Sequence, residues 1–562
     1  MLAGPSQLLS RPLKAREIFD LVARRNPGMR HWRLYFLTLV GSLEFRMNTN
    51  SASASTARRD SVSERMLRLA ARPLATRLLA TSLLPLVISC GGGVFGKAGS
   101  DYVPPASLAA SSWQVPLPAN AIAPAGAPSV AHEGSTGRLA EWWAQFKDPA
   151  LDALIAAAQS HGSSVVQAAA SIERARADAI AAGVAASPSF EGIASGNRSA
   201  FTLGGPAALR TQWQLGVQSQ WEIDLFGGLA REREARQALL AAHVALWHEA
   251  RVSLAAEVAN AYVNFRHCEI MLVQAGADAR SRAYTARIME AAGRAGIQSA
   301  SAAALARAAA TEAAGALTER RAQCDISVKG LVALTATEEP ALRALLAQAL
   351  PGLNRLPQPA RFRIDALPAR VIAQRPDIAA AERQLAAASA DIGAAEADRY
   401  PRLTLSGSIT PTRIAIGNAP ALSLTTWSIG PALTLPLIDG GRREANVTAF
   451  RAQYAAAESA YRSKVRNAVR EVEEALVRLD SAASREAYSQ AAARGYRVNL
   501  AGREALQRVG LGSELDVEEA RRIALGADAN VVALEQERLA ALISLYRAVG
   551  GGWEPENPAS DR

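Results

Sequence analysis

The chain has 562 residues, 49% of them hydrophobic and 20% charged, and a formal net charge of +10. That length allows several cores. The basic residues are concentrated at the front and spread along helical patterns, with no Arg/Lys patch interleaved with aromatics, which argues against a nucleic-acid partner. Three cysteines are too few for a disulfide framework.

Residues 1–65 read as neither fold nor signal, a mis-assigned N-terminal extension, and translation is expected from Met66. Residues 66–89 have the form of a secretory segment: Arg68, Arg72 and Arg77, then the apolar run Leu78–Ser89, closing on Val87-Ile88-Ser89-Cys90. The run is shorter than the ~20 residues a membrane-spanning helix needs and contains Pro85, which weighs against a transmembrane anchor. The mature chain is expected to start at Cys90. Residues 90–140 are rich in Pro, Ala, Ser and Gly and predict an extended arm with no core of its own.

Residues 141–335 form a first unit. Trp142, Trp143 and Phe146 precede Asp148-Pro149, a cap and a first helical residue, which predict one helix to about Ala182. Two strands are expected in Ala185–Leu225, with Asn197–Arg210 as the hairpin loop. In the second of them Trp213, Leu215, Val217, Trp221 and Ile223 alternate with polar residues. The period changes at Gly227-Gly228. Leu240, Val244, Trp247, Leu254, Val258, Ala261 and Phe265 then recur at helical spacing, and Ala230–Arg294 unbroken would run about 100 Å at 1.5 Å per residue. A turn at Gly296 and a returning helix from about Ser301 to Thr335 complete the unit.

After a connector over 336–366, residues 367–549 repeat the plan. Arg375-Pro376-Asp377 leads a helix to Asp398, and Tyr400-Pro401 ends it. Two strands follow, with Leu403, Leu405 and Ile409 alternating in the first and Trp427, Ile429, Leu433, Leu435 and Leu437 in the second, around a loop near Pro411–Pro420. Beyond Asp439-Gly440-Gly441, a seam from Val447 through Tyr461, Val465, Val472 and Leu479 marks a long helix to about Leu506. A turn at Gly510, a final helix Leu515–Val549 and a tail over 550–562 close the chain. The two units are one duplicated sequence: Glu257-Val258 matches Glu471-Val472, and Gly296-Ile-Gln-Ser299 matches Gly510-Leu-Gly-Ser513, at a constant offset of 214.

Four strands with one apolar face cannot close a barrel, and open sheet edges are not tolerated in lipid, so several copies must contribute jointly. Long helices packed side by side would enclose a conduit. The six histidines form no metal spacing, and no nucleophile elbow or phosphate loop occurs. Cys268 and Cys324 read as small core or seam residues.

Trp142-Trp143 with Asp148-Pro149, Trp221 to Gly227, Arg375-Pro376-Asp377, Asp391-Ile392-Gly393, Tyr400-Pro401, Glu471-Val472-Glu473, Gly510 to Asp516 and Gly550 to Trp553 together resemble the outer membrane efflux lipoproteins, the OprM-like and NodT-like branch of the TolC superfamily. The resemblance implies a mixed α/β membrane protein: a homotrimeric twelve-stranded transmembrane β-barrel, four strands per chain, continued by a long α-helical periplasmic barrel. It implies lipidation of Cys90, whose following Gly91 fits the outer membrane of a Gram-negative bacterium. It also implies passive conduction of small molecules delivered by a periplasmic adaptor and an inner-membrane RND-type pump, with no cofactor, metal or catalytic residue. The adaptor would meet the hairpin tips Gly296, Ile297, Gly510 and Leu511. Glu519 and Arg522, with Asp516 nearer the tip, align with the periplasmic gate, where repeated carboxylates at a narrow axis repel each other and attract cations. Glu518, Glu519 and Arg522 would equally suit a solvated helix face. The first tip departs from the pattern, with Ala302 where the second carries Asp516. A conduit for type I-like protein or other secretion, and a non-channel periplasmic coiled-coil scaffold, are the competing readings.

Overall fold

The computed structural model describes residues 96–105, 142–143, 145–202, 207–348, 356–357, 374–551 and 553. All of them belong to the second of two units, Val87–Arg562. The expectations for residues 1–65, the signal 66–89 and Cys90 lie outside the described residues.

The order is α1 (Pro149–His161), α2 (Ser163–Val184), β1 (Ser189–Phe201), β2 (Ala208–Ile223), α3 (Gly228–Arg294) and α4 (Ala300–Thr335). After α5 (Glu339–Gln348) the plan returns as α6 (Pro376–Ala397), β3 (Arg402–Ile416), β4 (Leu422–Thr434), α7 (Arg442–Arg508) and α8 (Glu514–Ala548). The expected single helix after Asp148 is broken. Asp148 does cap α1, accepting from the Ala150 amide at 3.1 Å. Gly162 then turns extended, and a Cβ there would meet Ala158 O and Leu254 Cδ2 at 2.5 Å each. Only glycine lets α1 stop against α3 and α2 set off in a new direction.

The strands pair antiparallel in sequence order β1-β2-β3-β4. Both hairpin loops are shorter than expected: Asn197–Phe201 and Ala208–Arg210 belong to strands, and β3 runs through Pro411 to Ile416. Cross-strand pairing continues wherever partners exist, and local turn residues do not stop it. Leu435 and Leu437 lie beyond the end of β4. Register puts Val217 beside Ile409 and Ile409 beside Trp427, with Ile223, Leu403 and Leu433 on the same face. That face is open: Trp213, Leu215, Trp427 and Ile429 are all exposed. The opposite face carries Gln212, Gln214, Gln218 and Gln220 on β2 with Thr404, Ser406 and Ser408 on β3. Among the described residues, β1 and β4 each have one unpaired edge.

Strand passes to long helix almost directly. Gly227 and Gly441 take φ of +75° and +86°, and a preceding carboxylate receives the first helical amides: Asp224 from Ala230 at 2.9 Å, Asp439 from Gly441 and Arg443 at 3.0 and 3.2 Å. Both long helices have 67 residues, about 100 Å each. The α7 seam is buried at Val447, Tyr461, Val465, Ala468, Val472, Ala475 and Leu479, while Phe450, Tyr454 and Ala457 of the same seam are only half-buried. Helix α3 differs. Leu240, Val244, Trp247 and Ala261 are only half-buried, while Ala235, Ala242, Ala255, Ala256 and Ala259 are buried. Leu254, Val258 and Phe265 of the predicted face are buried with Val252, Tyr262 and Ile270, and because α3 packs against α1, α2, α4, α6 and α8, alanines on its other faces are buried as well.

The main core gathers where α1, α3, α4, α5 and α8 meet. Trp142 stacks on Tyr546 at 4.7 Å, Trp143 meets the same ring edge-on at 4.9 Å, and the Tyr546 hydroxyl donates to Gly551 O at 2.8 Å. Cys268 and Cys324 are not lone seam residues: they form a disulfide across α3 and α4, with Cα atoms 5.6 Å apart. They are equidistant in sequence from Gly296, so an antiparallel hairpin turning there sets them side by side.

Candidate functional site

The two hairpin tips are built from one device. The Gly296 amide donates to Gly293 O at 3.1 Å and the Ile297 amide to Ala292 O at 2.9 Å; Gly510 and Leu511 repeat this onto Gln507 and Leu506 at 3.0 and 2.9 Å. These paired bonds close a helix through a left-handed residue, and both glycines have it, φ +72° and +80°. Ser299 and Ser513 then cap α4 and α8, accepting from the Ala302 and Asp516 amides at 3.1 Å. The turn geometry leaves the residue after each glycine outside the helix pair. Ile297 is 75% exposed and Leu511 78%.

Above the second tip, α8 is tied to α3. Arg522 Nη1 donates to Thr285 Oγ1 at 3.0 Å and Ser281 Oγ at 3.3 Å, and the Ser281 hydroxyl donates to Glu518 O at 3.5 Å. The Tyr284 hydroxyl donates to the Glu514 carboxylate; that bond, with a lesser effect of desolvation, raises the phenol above its ordinary value. Ser281 and Thr285 share one face of α3 at a four-residue spacing. The aligned gate residues do not gather into one cluster. Asp516 faces Arg503 on α7 at 4.0 Å, Glu519 is exposed, and no bond links Glu519 to Arg522 within the chain. Glu518 is no solvated residue: it is buried, one oxygen 3.2 Å from Arg521, the other without a hydrogen-bond partner. Sequence reading missed Ser281, Tyr284, Thr285 and Glu514. Their signal is a polar row at helical spacing on α3, near the tip and level with the start of α8.

Farther from the tips, charged side chains clasp the elements together. Arg375, at the α6 N-terminus, forks onto Asp377 at 2.9 and 3.0 Å, and its Nη1 reaches Glu471 on α7 at 2.8 Å and Ala548 O on α8 at 2.9 Å. Burial would raise Asp377, but the Arg375 bonds and charge outweigh it and hold the carboxyl below its usual range. At the start of α3, buried Arg231 binds the arm, through Nε to Ala98 O at 3.0 Å and Nη2 to Gly99 O and Asp101 at 3.2 and 2.9 Å. Gly393 makes room for this. A Cβ there would meet Ala98 O at 2.8 Å and Arg231 at 3.0 Å. His248, unassigned by its spacing to His243, sits between Trp247 and Trp553 with ring centroids at 4.9 and 6.1 Å, and burial lowers its pKa.

Among the described residues no helix is long and apolar enough to cross a membrane, and no group of three or more His, Cys, Asp or Glu could hold a metal ion. Two structural features therefore stand out: an open apolar sheet face and two long hairpins with exposed tips. The chain is similar to known proteins. Nodulation protein T of Rhizobium leguminosarum bv. viciae is 31% identical over 513 residues, 86% of this chain and 95% of the relative. Outer membrane protein OprJ of Pseudomonas aeruginosa is 28% identical over 467 residues, 81% and 92% of the two chains. The solved structure of the outer-membrane channel OprN superposes with a TM-score of 0.67 at 25% identity, covering 83% of this chain and 100% of OprN. A family model described as outer membrane efflux protein matches residues 154–337 and 367–551, both repeats. The chain belongs to the outer membrane efflux protein family, whose solved members are channels with a long helical part.

Proposed function

We infer that this chain is the outer-membrane channel of an efflux pump, seated in the outer membrane of a Gram-negative bacterium and extending into the periplasm, where it passively conducts small molecules. The observation that carries this is the sheet: four strands with a largely apolar, open face and, among the described residues, two unpaired edges. In lipid those edges must be paired. β1 and β4 run in opposite directions, so β1 of one copy meets β4 of the next in the antiparallel sense, and a head-to-tail ring closes. Three copies give twelve strands, above the usual minimum of eight. The lumen is then lined by the Gln, Ser and Thr face, and α2, α4 and α7 flank the same seams in the helical barrel.

The tips, with Ile297 and Leu511 held out by the Gly296 and Gly510 turns, are the surface for a periplasmic adaptor, which links the channel to an inner-membrane pump. Lipid on Cys90 tethers the arm. The gate acts where α8 is tied to α3: Arg522 holds α8 inward through Ser281 and Thr285, and the exposed Glu519 of each copy forms the narrow carboxylate ring. Single-channel conductance of the purified protein, with its oligomer mass from the same sample, tests this reading. A trimer that rests nearly closed, and conducts several times better after Glu519→Gln with Arg522→Ala, supports it. A monomer without conductance rejects the channel, and a trimer whose closed state ignores both substitutions rejects the gate.

A further inference from the structure

The strands contain six charged residues, and they are sorted along the strand axis. Glu191, Glu222 and Arg402 lie toward the helices; Arg198, Arg210 and Arg413 lie toward the hairpins, where the loop sequences Thr202–Ala207 and Gly417–Ala421 hold no charge. Register divides the three arginines further. Arg210 is on the glutamine face. Arg413 pairs with Trp213 and Arg198 with Thr211, so both stand on the apolar face, and they are its sole charged residues. Both are exposed, and among the described residues neither has an ion pair or hydrogen bond partner.

Between them lies Trp213. Its ring covers Gly196, where an added Cβ would meet ring carbons at 2.6 and 2.8 Å. The ring thus lies against β1, one step below Arg198, with Arg413 on its other side. Two strand spacings and two residues of offset set the arginine Cα atoms about 12 Å apart. From Trp213 to Ile223 is ten residues, which at a tilt of about 40° spans about 25 Å, the height of the apolar band of an outer-membrane barrel. A lipid-facing arginine is costly at the midplane and cheap at the rim. The pair therefore marks the outer boundary of the hydrocarbon, facing headgroups.

We propose that Arg198 and Arg413, on either side of Trp213, bind the phosphate groups of the phosphorylated glycolipid in the outer leaflet, with the indole packed against its acyl chains. Charge complementarity selects this occupant: the hairpin ends of the strands bear only cations, the loop sequences add no acidic residue, and the planar donors of both guanidiniums suit phosphate oxygens. The site rests on the reading of the sheet as a membrane wall.

The test presents the detergent-purified full chain with bisphosphorylated lipid A, its dephosphorylated analogue and phosphatidylglycerol, with bound lipid counted by native mass spectrometry. Conductance is recorded from the same preparation. A preference for the bisphosphorylated lipid of about twenty-five-fold, about fivefold for each arginine, is expected. Arg198→Gln with Arg413→Gln should abolish it at unchanged trimer mass, and Arg198→Lys with Arg413→Lys should keep most of it. Equal binding of phosphorylated and dephosphorylated lipid, equal binding of phosphatidylglycerol, or a preference that survives the Gln pair would overturn the site. Absence of conductance even after Glu519→Gln with Arg522→Ala rejects the membrane wall, whereas conductance without phosphate preference rejects the site alone.

Discussion

Removing the disulfide by Cys268→Ala with Cys324→Ala tests how the first hairpin is held. The crosslink closes a loop with a sequence separation of 56. Chain-entropy arithmetic gives that closure about 14 cal/mol/K, or about 4 kcal/mol at 25 °C, at the upper end of the 2–4 typical of natural disulfides. The second hairpin supplies an internal reference. At the repeat offset its counterpart positions are Ala482 and Arg538, and α7 is held to α8 by ion pairs instead, Arg485–Glu537 at 3.0 Å and Arg521–Glu504 at 3.2 Å. Such exposed pairs are worth little each and weaken with salt. Denaturant unfolding of the solubilised protein, followed by circular dichroism with and without reductant, should show the wild type losing about 2–4 kcal/mol on reduction and the variant losing nothing further. Hydrogen exchange should place the loss in α3 and α4. A change below about 1 kcal/mol, or equal loss of protection in α7 and α8, refutes the staple.

Three other outcomes follow from the clasps and tips. Arg375→Met leaves buried Asp377 with only the looser Lys464 contact at 3.8 Å and should cost about 3–5 kcal/mol in the same unfolding assay. Because Asp377 is depressed in the folded state, its stabilisation is complete above its unfolded value of about 3.9 and is lost as pH falls through the lower folded value. Acid melts should show that loss in the wild type and not in the Met variant. Gly393→Ala should push the arm off Arg231 at a cost of about 1–3 kcal/mol, read as faster tryptic cleavage after Lys97; unchanged cleavage would mean the arm is held elsewhere. Ile297→Ser and Leu511→Ser should weaken capture of the adaptor without altering the melting temperature, and full capture by the double variant would remove the tips from docking.

Much of the architecture is legible in the residues because it is periodic. Alternation at Trp213–Ile223 and the Val447–Leu479 seam are local signals, and the repeat transfers each to the other half. Gly296 and Gly510 are equally readable, since few residues but glycine tolerate their φ. What failed was tertiary. The Gly162 break arises from the approach of Leu254, ninety-two positions away, and the strand ends are set by pairing partners. The disulfide needed the hairpin register, which the symmetric placing of Cys268 and Cys324 about Gly296 would have supplied. At the proposed gate, alignment pointed to α8 but not to its packing partners, because Ser281 and Thr285 become neighbours of Arg522 only when α3 and α8 pack.

The two unpaired edges also have a genetic consequence. A ring of identical subunits joined β1 to β4 has no redundancy, since every subunit closes two seams. A chain with sound helices and a sound β1 but a damaged β4 would still join a growing assembly and leave one seam open. If the proposed ring is a trimer, such a chain co-expressed with the normal one in equal amounts would enter seven of every eight randomly assembled rings, and the mutation would be dominant.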